Sequence, residues 1–125
     1  MNQQRNMRKL VRIDFDNIGD KIDYHLFNED FEKAQAISNI IKSTINSSLL
    51  YIQENFAEVN ILLIGADDIL FSSSNISKEK LQVLKEYYSN KSSLTVSIGV
   101  GNNIKETMLN LKEAKVSGKN IIKGI

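Results

Sequence analysis

Four carboxylates stand in two short segments of this chain, Ile13-Asp14-Phe15-Asp16-Asn17-Ile18-Gly19 and Gly65-Ala66-Asp67-Asp68-Ile69. Each segment follows an apolar run that reads as a β-strand, so each sets its acids at the end or turn of a sheet element. Acidic pairs on neighbouring strands repel: unit charges about 4 Å apart cost roughly 4 kcal/mol at an effective dielectric of about 20. A divalent cation between them would remove that cost, and a purely structural role would not need the arrangement.

Each segment has a plainer reading when taken alone. Asp14, Asp16 and Gly19 fit positions 1, 3 and 6 of a calcium loop, but Ile18 and His25 fall where oxygens are wanted, and the preceding element is a strand instead of a helix. A solvated acidic turn also fits. Gly65-Ala66-Asp67-Asp68 can simply make a tight hairpin, since Gly and Asp are common turn residues. Occurrence of both segments on strands expected to be neighbours favours the metal reading. A third signal is Ala114-Lys115-Val116-Ser117-Gly118-Lys119-Asn120. Helical spacing puts Ile104, Met108, Leu111 and Lys115 on one stripe, so Lys115 lies toward the sheet. Its head either snorkels to solvent or meets an anion at the sheet edge, with Lys119 one turn further on. Two lysines facing acidic pairs suit a triphosphate held between metal and ammonium groups. His25 reads as an ordinary, partly exposed residue. Ser38 borders the apolar face of a long helix, either as a packed small side chain or as a nucleobase contact.

The elements that must position these residues follow from periodicity. Leu10–Phe15 reads as a strand, and Asn17–Asp20 as a turn in which Gly19 supplies backbone freedom. Lys21–Phe27 reads as a short helix. Asn28 caps a longer one whose apolar face is Ala34, Ile37, Ile41, Ile45, Ser48, Ile52 and Phe56, roughly 40 Å long at about 1.5 Å per residue. Val59–Ile64 and Ile69–Phe71 form a hairpin with Asp67 and Asp68 at its tip, followed by a loop over Ser72–Asn75. Ser77 caps a helix carrying Leu81, Leu84 and Tyr88. Leu94–Val100 alternates like a strand. Asn103 and Glu106 have capping-box spacing ahead of a helix to about Val116, ended by Gly118. Asn120–Lys123 reads as an edge strand. The order is α+β, a ferredoxin-like βαββαβ arrangement with an extra C-terminal helix and strand. That topology brings Asp14 beside Asp67.

Composition bounds the rest. The chain has 125 residues, 42% hydrophobic and 25% charged, which suits one globular domain spanning residues 1–125, with no visible repeat or linker. The net charge of +1 gives no bulk field toward nucleic acid or membrane. Basic residues cluster at both ends, as Arg5, Arg8, Lys9 and Arg12 and as Lys112, Lys115, Lys119 and Lys123, with the acids between. Absence of cysteine and a single histidine exclude disulfides, thiolate ligation and most zinc or Ser-His-Asp schemes. No apolar run reaches the ~20 residues of a membrane span, and the polar start lacks a signal-peptide core. A cytoplasmic protein is expected.

These residues, in this order, resemble the catalytic palm shared by nucleotide cyclases, GGDEF diguanylate cyclases and type III CRISPR polymerase subunits. Gly65-Ala66-Asp67-Asp68 is similar to the GGDEF or GGDD hairpin, with Ala66 in place of the second glycine. Ser97-Ile98-Gly99-Val100 resembles the following Ser-Ile-Gly strand. Ala114-Lys115-Val116-Ser117-Gly118-Lys119-Asn120 resembles the Ala-Lys-x-x-Gly-Arg-Asn ending. Asp14-Phe15-Asp16-Asn17-Ile18-Gly19 is similar to the Asp-x-Asp-Asn-Ile-Gly opening of minimal CRISPR polymerases, small stand-alone palm proteins. No arginine precedes Gly65, and neither an Arg-x-x-Asp inhibitory site nor a guanine-reading Asn-Asp pair is evident, which disfavours a GTP-specific cyclic di-GMP synthase. The resemblance implies two Mg²⁺ (or Mn²⁺) ions per site on Asp14, Asp67 and the Phe15 carbonyl, with Asp68 assisting. It implies phosphate binding by Asn17, Ile18, Gly19, Lys115 and Lys119; base contact by Ser38 rests on its place beside the apolar face of the long helix and not on the resemblance. It further implies ATP or another NTP as substrate, a cyclic nucleotide product, a homodimer and a separate effector in antiviral signalling. Its rivals are a palm-type GTP cyclohydrolase and a catalytically silent nucleotide receptor.

Overall fold

Alternation along the first strand decides the architecture. In the computed structural model, which describes residues 8–125, β1 (Lys9–Phe15) buries Val11, Ile13 and Phe15 on one face and leaves Leu10, Arg12 and Asp14 half-buried on the other. Arg5 of the N-terminal basic cluster lies outside the described residues. The remaining elements are α1 (Ile18–Phe27), α2 (Phe31–Asn55), β2 (Asn60–Ile64), β3 (Asp68–Ser73), α3 (Lys78–Ser92), β4 (Val96–Gly101), α4 (Ile104–Val116) and β5 (Ile122–Lys123). The sheet runs β2-β3-β1-β4-β5, antiparallel except for the β4–β5 pair. This is the expected α+β, ferredoxin-like order with an extra C-terminal helix and strand.

On the Val11–Ile13–Phe15 face, α2 and α3 close the core with Ile41, Ile45, Ile52, Leu81, Leu84 and Tyr88. Tyr88 packs edge-on to Phe15 at 5.6 Å between centroids, and its hydroxyl donates to Ser48 Oγ at 2.7 Å. Phe15 is thereby fixed by its ring, which matters for its carbonyl below. The opposite face is covered by α4 over β4 and β1. That packing is very close: a Cβ on Gly99 would lie 2.4 Å from the Leu111 backbone nitrogen and 2.5 Å from the Thr107 carbonyl oxygen. Only glycine lets helix and strand approach so nearly.

Several boundaries depart from the sequence reading. Asn17–Gly19 opens a helix instead of a turn. Asn17 is the cap of α1 and itself takes the left-handed conformation, φ 59°, so Gly19 is not the residue that needs backbone freedom. Asn readily tolerates this region because its short side chain can bond locally. Asn28 ends α1, and Asp30 caps α2 through the Lys33 N–H at 3.2 Å. Ser72 and Ser73 continue β3, held by Arg8, which donates to Ser72 Oγ at 2.9 Å, and by the Ala57 carbonyl, which accepts from Ser73 Oγ at 2.6 Å. Glu106 reaches the Asn102 N–H, one residue before the cap it was expected to serve. In α4 the buried face is Thr107, Leu111 and Ala114. Ile104 and Met108 are exposed, so Lys115 sits at the border of the packed face and not in the middle of an apolar stripe.

Candidate active site

The end of β1 is clamped from both sides. Asp14 pairs across the sheet with Asp68 on β3 and Ser97 on β4. Cross-strand partners point to the same face, so these side chains share the α4-covered surface with Arg12. The Phe15 N–H donates to the Asp67 carbonyl at 3.1 Å and the Asp16 N–H to the Thr95 carbonyl at 3.0 Å. The hairpin tip is thus held against the residues where β1 stops. Gly65 tightens it, since a Cβ there would meet Asp68 Oδ1 at 1.9 Å.

Lys115 reaches this corner from α4. Its ammonium lies 3.1 Å from Asp14 Oδ2, 2.8 Å from Asp16 Oδ1, 2.9 Å from the Phe15 carbonyl and 3.3 Å from the Asp14 carbonyl. The two carboxylates respond differently to the same cation. Burial pushes the Asp14 carboxyl above its ordinary value, Lys115 opposes this, and the charges of Asp67 and Asp68 add to the rise. Burial acts upward on Asp16 too, but hydrogen bonds from Lys115, Thr95 and Ser97, with the Lys115 charge, outweigh it and hold that carboxyl below its ordinary value. Asp16 is 2% exposed and also accepts from the Asn120 N–H at 3.0 Å. Gly118, Lys119 and Asn120 all take positive φ, which turns the chain sharply enough after α4 to bring that N–H inward.

Asp68 is engaged elsewhere: its Oδ2 accepts from Arg12 Nη2 at 2.7 Å and Nε at 3.1 Å. Asn17, Ile18 and Gly19 form the N-terminus of α1, where backbone N–H groups and the helix dipole suit an anion. Lys119 donates to the Asn17 side-chain oxygen beside them. A cleft of ≈ 210 Å³ between α1, α2 and the hairpin is lined by Ile18, Ile22, Ser38, Ile41, Lys42 and Asp67, among others. It joins one residue each from the expected metal, phosphate and base groups. A cleft of ≈ 260 Å³ at the far end of α2, around Tyr51 and Phe56, contains none of them. His25 lies in the last turn of α1, half-buried.

Sequence reasoning missed the parts played by Asp16, Arg12, Thr95, Ser97 and Lys42. Arg12 lies two residues before Asp14 and Lys42 four after Ser38, so strand and helix periodicity carried a signal for both. The bonds from Thr95 and Ser97 depend on register and left no local trace.

Whether a hard cation suits this corner can be judged from its donors. A carboxylate and a backbone carbonyl already converge on a cation, the Lys115 ammonium, and three carboxylates are shared between one ammonium (Asp14, Asp16) and one guanidinium (Asp68). Among the described residues no three acidic or imidazole side chains suffice to hold an ion alone. Mg²⁺ commonly takes one or two carboxylates and completes its shell with substrate phosphate and water, so the donors fit.

A five-stranded sheet with paired acids on adjacent strands, a helix N-terminus and a lysine over them defines a GGDEF-type palm. Solved structures share the fold. The Csm1–Csm4 cassette in complex with cA3 aligns over 92% of this chain and 20% of that one, with TM-score 0.64 and 15% identity. The GGDEF domain of DgcB from Caulobacter crescentus in complex with c-di-GMP aligns over 93% and 76%, with TM-score 0.61 and 14% identity. The active GGEEF domain of a diguanylate cyclase from Vibrio cholerae aligns over 93% and 81%, with TM-score 0.54 and 15% identity. Residues 10–125 match the model of the minimal CRISPR polymerase domain, and the chain belongs to that family. No curated protein matches it in sequence. No described helix is long and apolar enough to cross a membrane.

Proposed function

We propose that this chain is a nucleotidyltransferase that condenses NTPs, ATP foremost, into a cyclic dinucleotide or short cyclic oligonucleotide. The observation that carries this reading is the meeting of the Asp14 carboxylate and the Phe15 carbonyl at one cation, beside the hairpin that bears Asp67. Asp14, Asp67 and the Phe15 carbonyl are the residues that would hold Mg²⁺ or Mn²⁺. Bound there, such ions would supply the Lewis acidity that lowers the cost of ionising a ribose hydroxyl and offsets charge on pyrophosphate.

The chain's own residues supply positioning and charge. The N–H groups of Asn17, Ile18 and Gly19 hold phosphate oxygens, and Lys115 and Lys119 neutralise them. Arg12 fixes Asp68, which supports the hairpin without contacting the reacting atoms. Ser38 and Lys42 meet the base edge while Ile18, Ile22 and Ile41 cover its faces and exclude water. Catalysis is then mostly alignment and electrostatic stabilisation. One cleft of this size takes one base, so joining two nucleotides calls for a second copy with its site facing the first. Family membership supports a role in antiviral signalling in the cytoplasm, with the product read by a separate effector.

The test is product analysis by mass after incubating the pure protein with each NTP and Mg²⁺ or Mn²⁺. A cyclic nucleotide and pyrophosphate from the wild type, and neither from Asp67→Asn, are expected. A formylaminopyrimidine from GTP, or nucleotide binding without turnover in both proteins, overturns the reading.

A further inference from the structure

The geometry points to Lys115 as a resident counter-cation that holds the metal cradle before substrate arrives and leaves it when a divalent cation enters, making metal and polyphosphate binding mutually dependent. This rests on the reading of Asp14 and the Phe15 carbonyl as cation ligands. Those two oxygens lie 3.1 and 2.9 Å from the Lys115 ammonium, within the reach of a direct hydrogen bond. A divalent ion bound to the same oxygens would stand against the ammonium with like charge, and both cannot stay.

Asp16 supplies the pivot. It is the most enclosed carboxylate of the corner, and Thr95, Ser97 and the Asn120 N–H already fix both of its oxygens. It is therefore a positioning residue, not a ligand in waiting. Its Oδ1 keeps a 2.8 Å bond to Lys115. The lysine head can swing about that bond while its stem stays in place, giving up Asp14 and Phe15 but not Asp16. The N-terminus of α1 begins next to Asp16, with Lys119 on the Asn17 side-chain oxygen, so a phosphate seated there on the proposed reading would offer the displaced ammonium a replacement partner. Phosphate thus favours the state that metal needs, and by linkage metal favours phosphate to the same degree.

The test uses Mn²⁺ alone, titrated into the full chain without nucleotide and followed by electron paramagnetic resonance of the free ion. Removing the competitor in Lys115→Met should tighten Mn²⁺ binding by about tenfold or more, within the usual range of coupling between sites. Lys115→Gln, which keeps a donor but no charge, should do the same and guards against a folding defect in the first variant. Calorimetry with the Mn²⁺ complex of α,β-methylene-ATP should give weaker binding in both variants than in the wild type. If both variants bind bare Mn²⁺ no more tightly than the wild type while the wild type takes up the Mn²⁺–analogue complex, the displacement inference is overturned alone. If no protein binds Mn²⁺ with or without the analogue, the metal reading falls and the inference with it.

Discussion

Replacing Gly99 by alanine tests how the sheet delivers Lys115 to the acids. The new Cβ would meet the Leu111 nitrogen at 2.4 Å, the Thr107 oxygen at 2.5 Å and the Leu111 Cα at 2.7 Å. All three are backbone atoms of α4, so no side chain can turn aside and the helix itself must rise. Ordinary contact begins near 3.4 Å, which asks for a lift of about 1 Å (3.4 − 2.4). Lys115 follows Leu111 by one turn. Its 2.8 and 3.1 Å bonds to Asp16 and Asp14 would stretch to about 3.8 and 4.1 Å (2.8 + 1.0 and 3.1 + 1.0), beyond hydrogen bonding. Overpacking of this kind costs about 1–3 kcal/mol, and a misplacement of about 1 Å at a reacting centre costs on the order of 100-fold in rate. Urea denaturation should show the lower midpoint, and pyrophosphate release the slower turnover. Gly19→Ala is the contrast: nothing lies within 4 Å of its Cβ position, and alanine in the first turn of α1 should leave the midpoint unchanged or slightly raised. Equal midpoints for the two variants, or wild-type turnover in Gly99→Ala, would refute the reasoning.

The two carboxylates on Lys115 should behave oppositely when removed. The Asp16 carboxyl is held low, so its stabilisation is present above the ordinary value of 3.8 and is lost as pH falls through its folded value. Asp16→Asn should cost about 3–5 kcal/mol at neutral pH and flatten the acid limb of a stability–pH curve measured by urea midpoints. The Asp14 carboxyl is raised, so its ionised form is a burden above its folded value that disappears at lower pH. Asp14→Asn should raise stability at neutral pH while abolishing product, the trade expected where a site is built for function; a lower thermal midpoint would contradict this. Ser38→Leu should fill part of the ≈ 210 Å³ cleft and weaken binding of an ATP analogue while leaving inorganic triphosphate binding unchanged, as calorimetry would report.

The places of Asp14 and Asp67 at the ends of neighbouring strands were legible because an apolar strand followed by acids fixes where the acids sit, and the βαββαβ order fixes which strands are neighbours; the register then makes Asp68 the direct cross-strand partner of Asp14. Lys115 was legible as a lysine turned toward a sheet. Asp16 was not, because β1 stops at Phe15 and no local pattern names the partners of the residue that follows. One residue beyond the strand, Asp16 turns inward to Thr95, Ser97 and Asn120, all distant in sequence. The cap of α1 was misplaced for a related reason: Gly19 is the more permissive residue, yet tertiary context put the left-handed conformation on Asn17. Gly99 and Gly101 on β4 carried an unused signal, since glycine inside a strand marks a close backbone approach.

Anomalous diffraction from crystals grown with Mn²⁺ and α,β-methylene-ATP tests the central claim most directly. A manganese peak bounded by the Asp14 carboxylate, the Phe15 carbonyl and Asp67, with the Lys115 ammonium moved onto the phosphates, is the predicted result. A peak remote from these oxygens, or an Asp67 carboxylate turned away from Asp14 with the nucleotide bound, would contradict it.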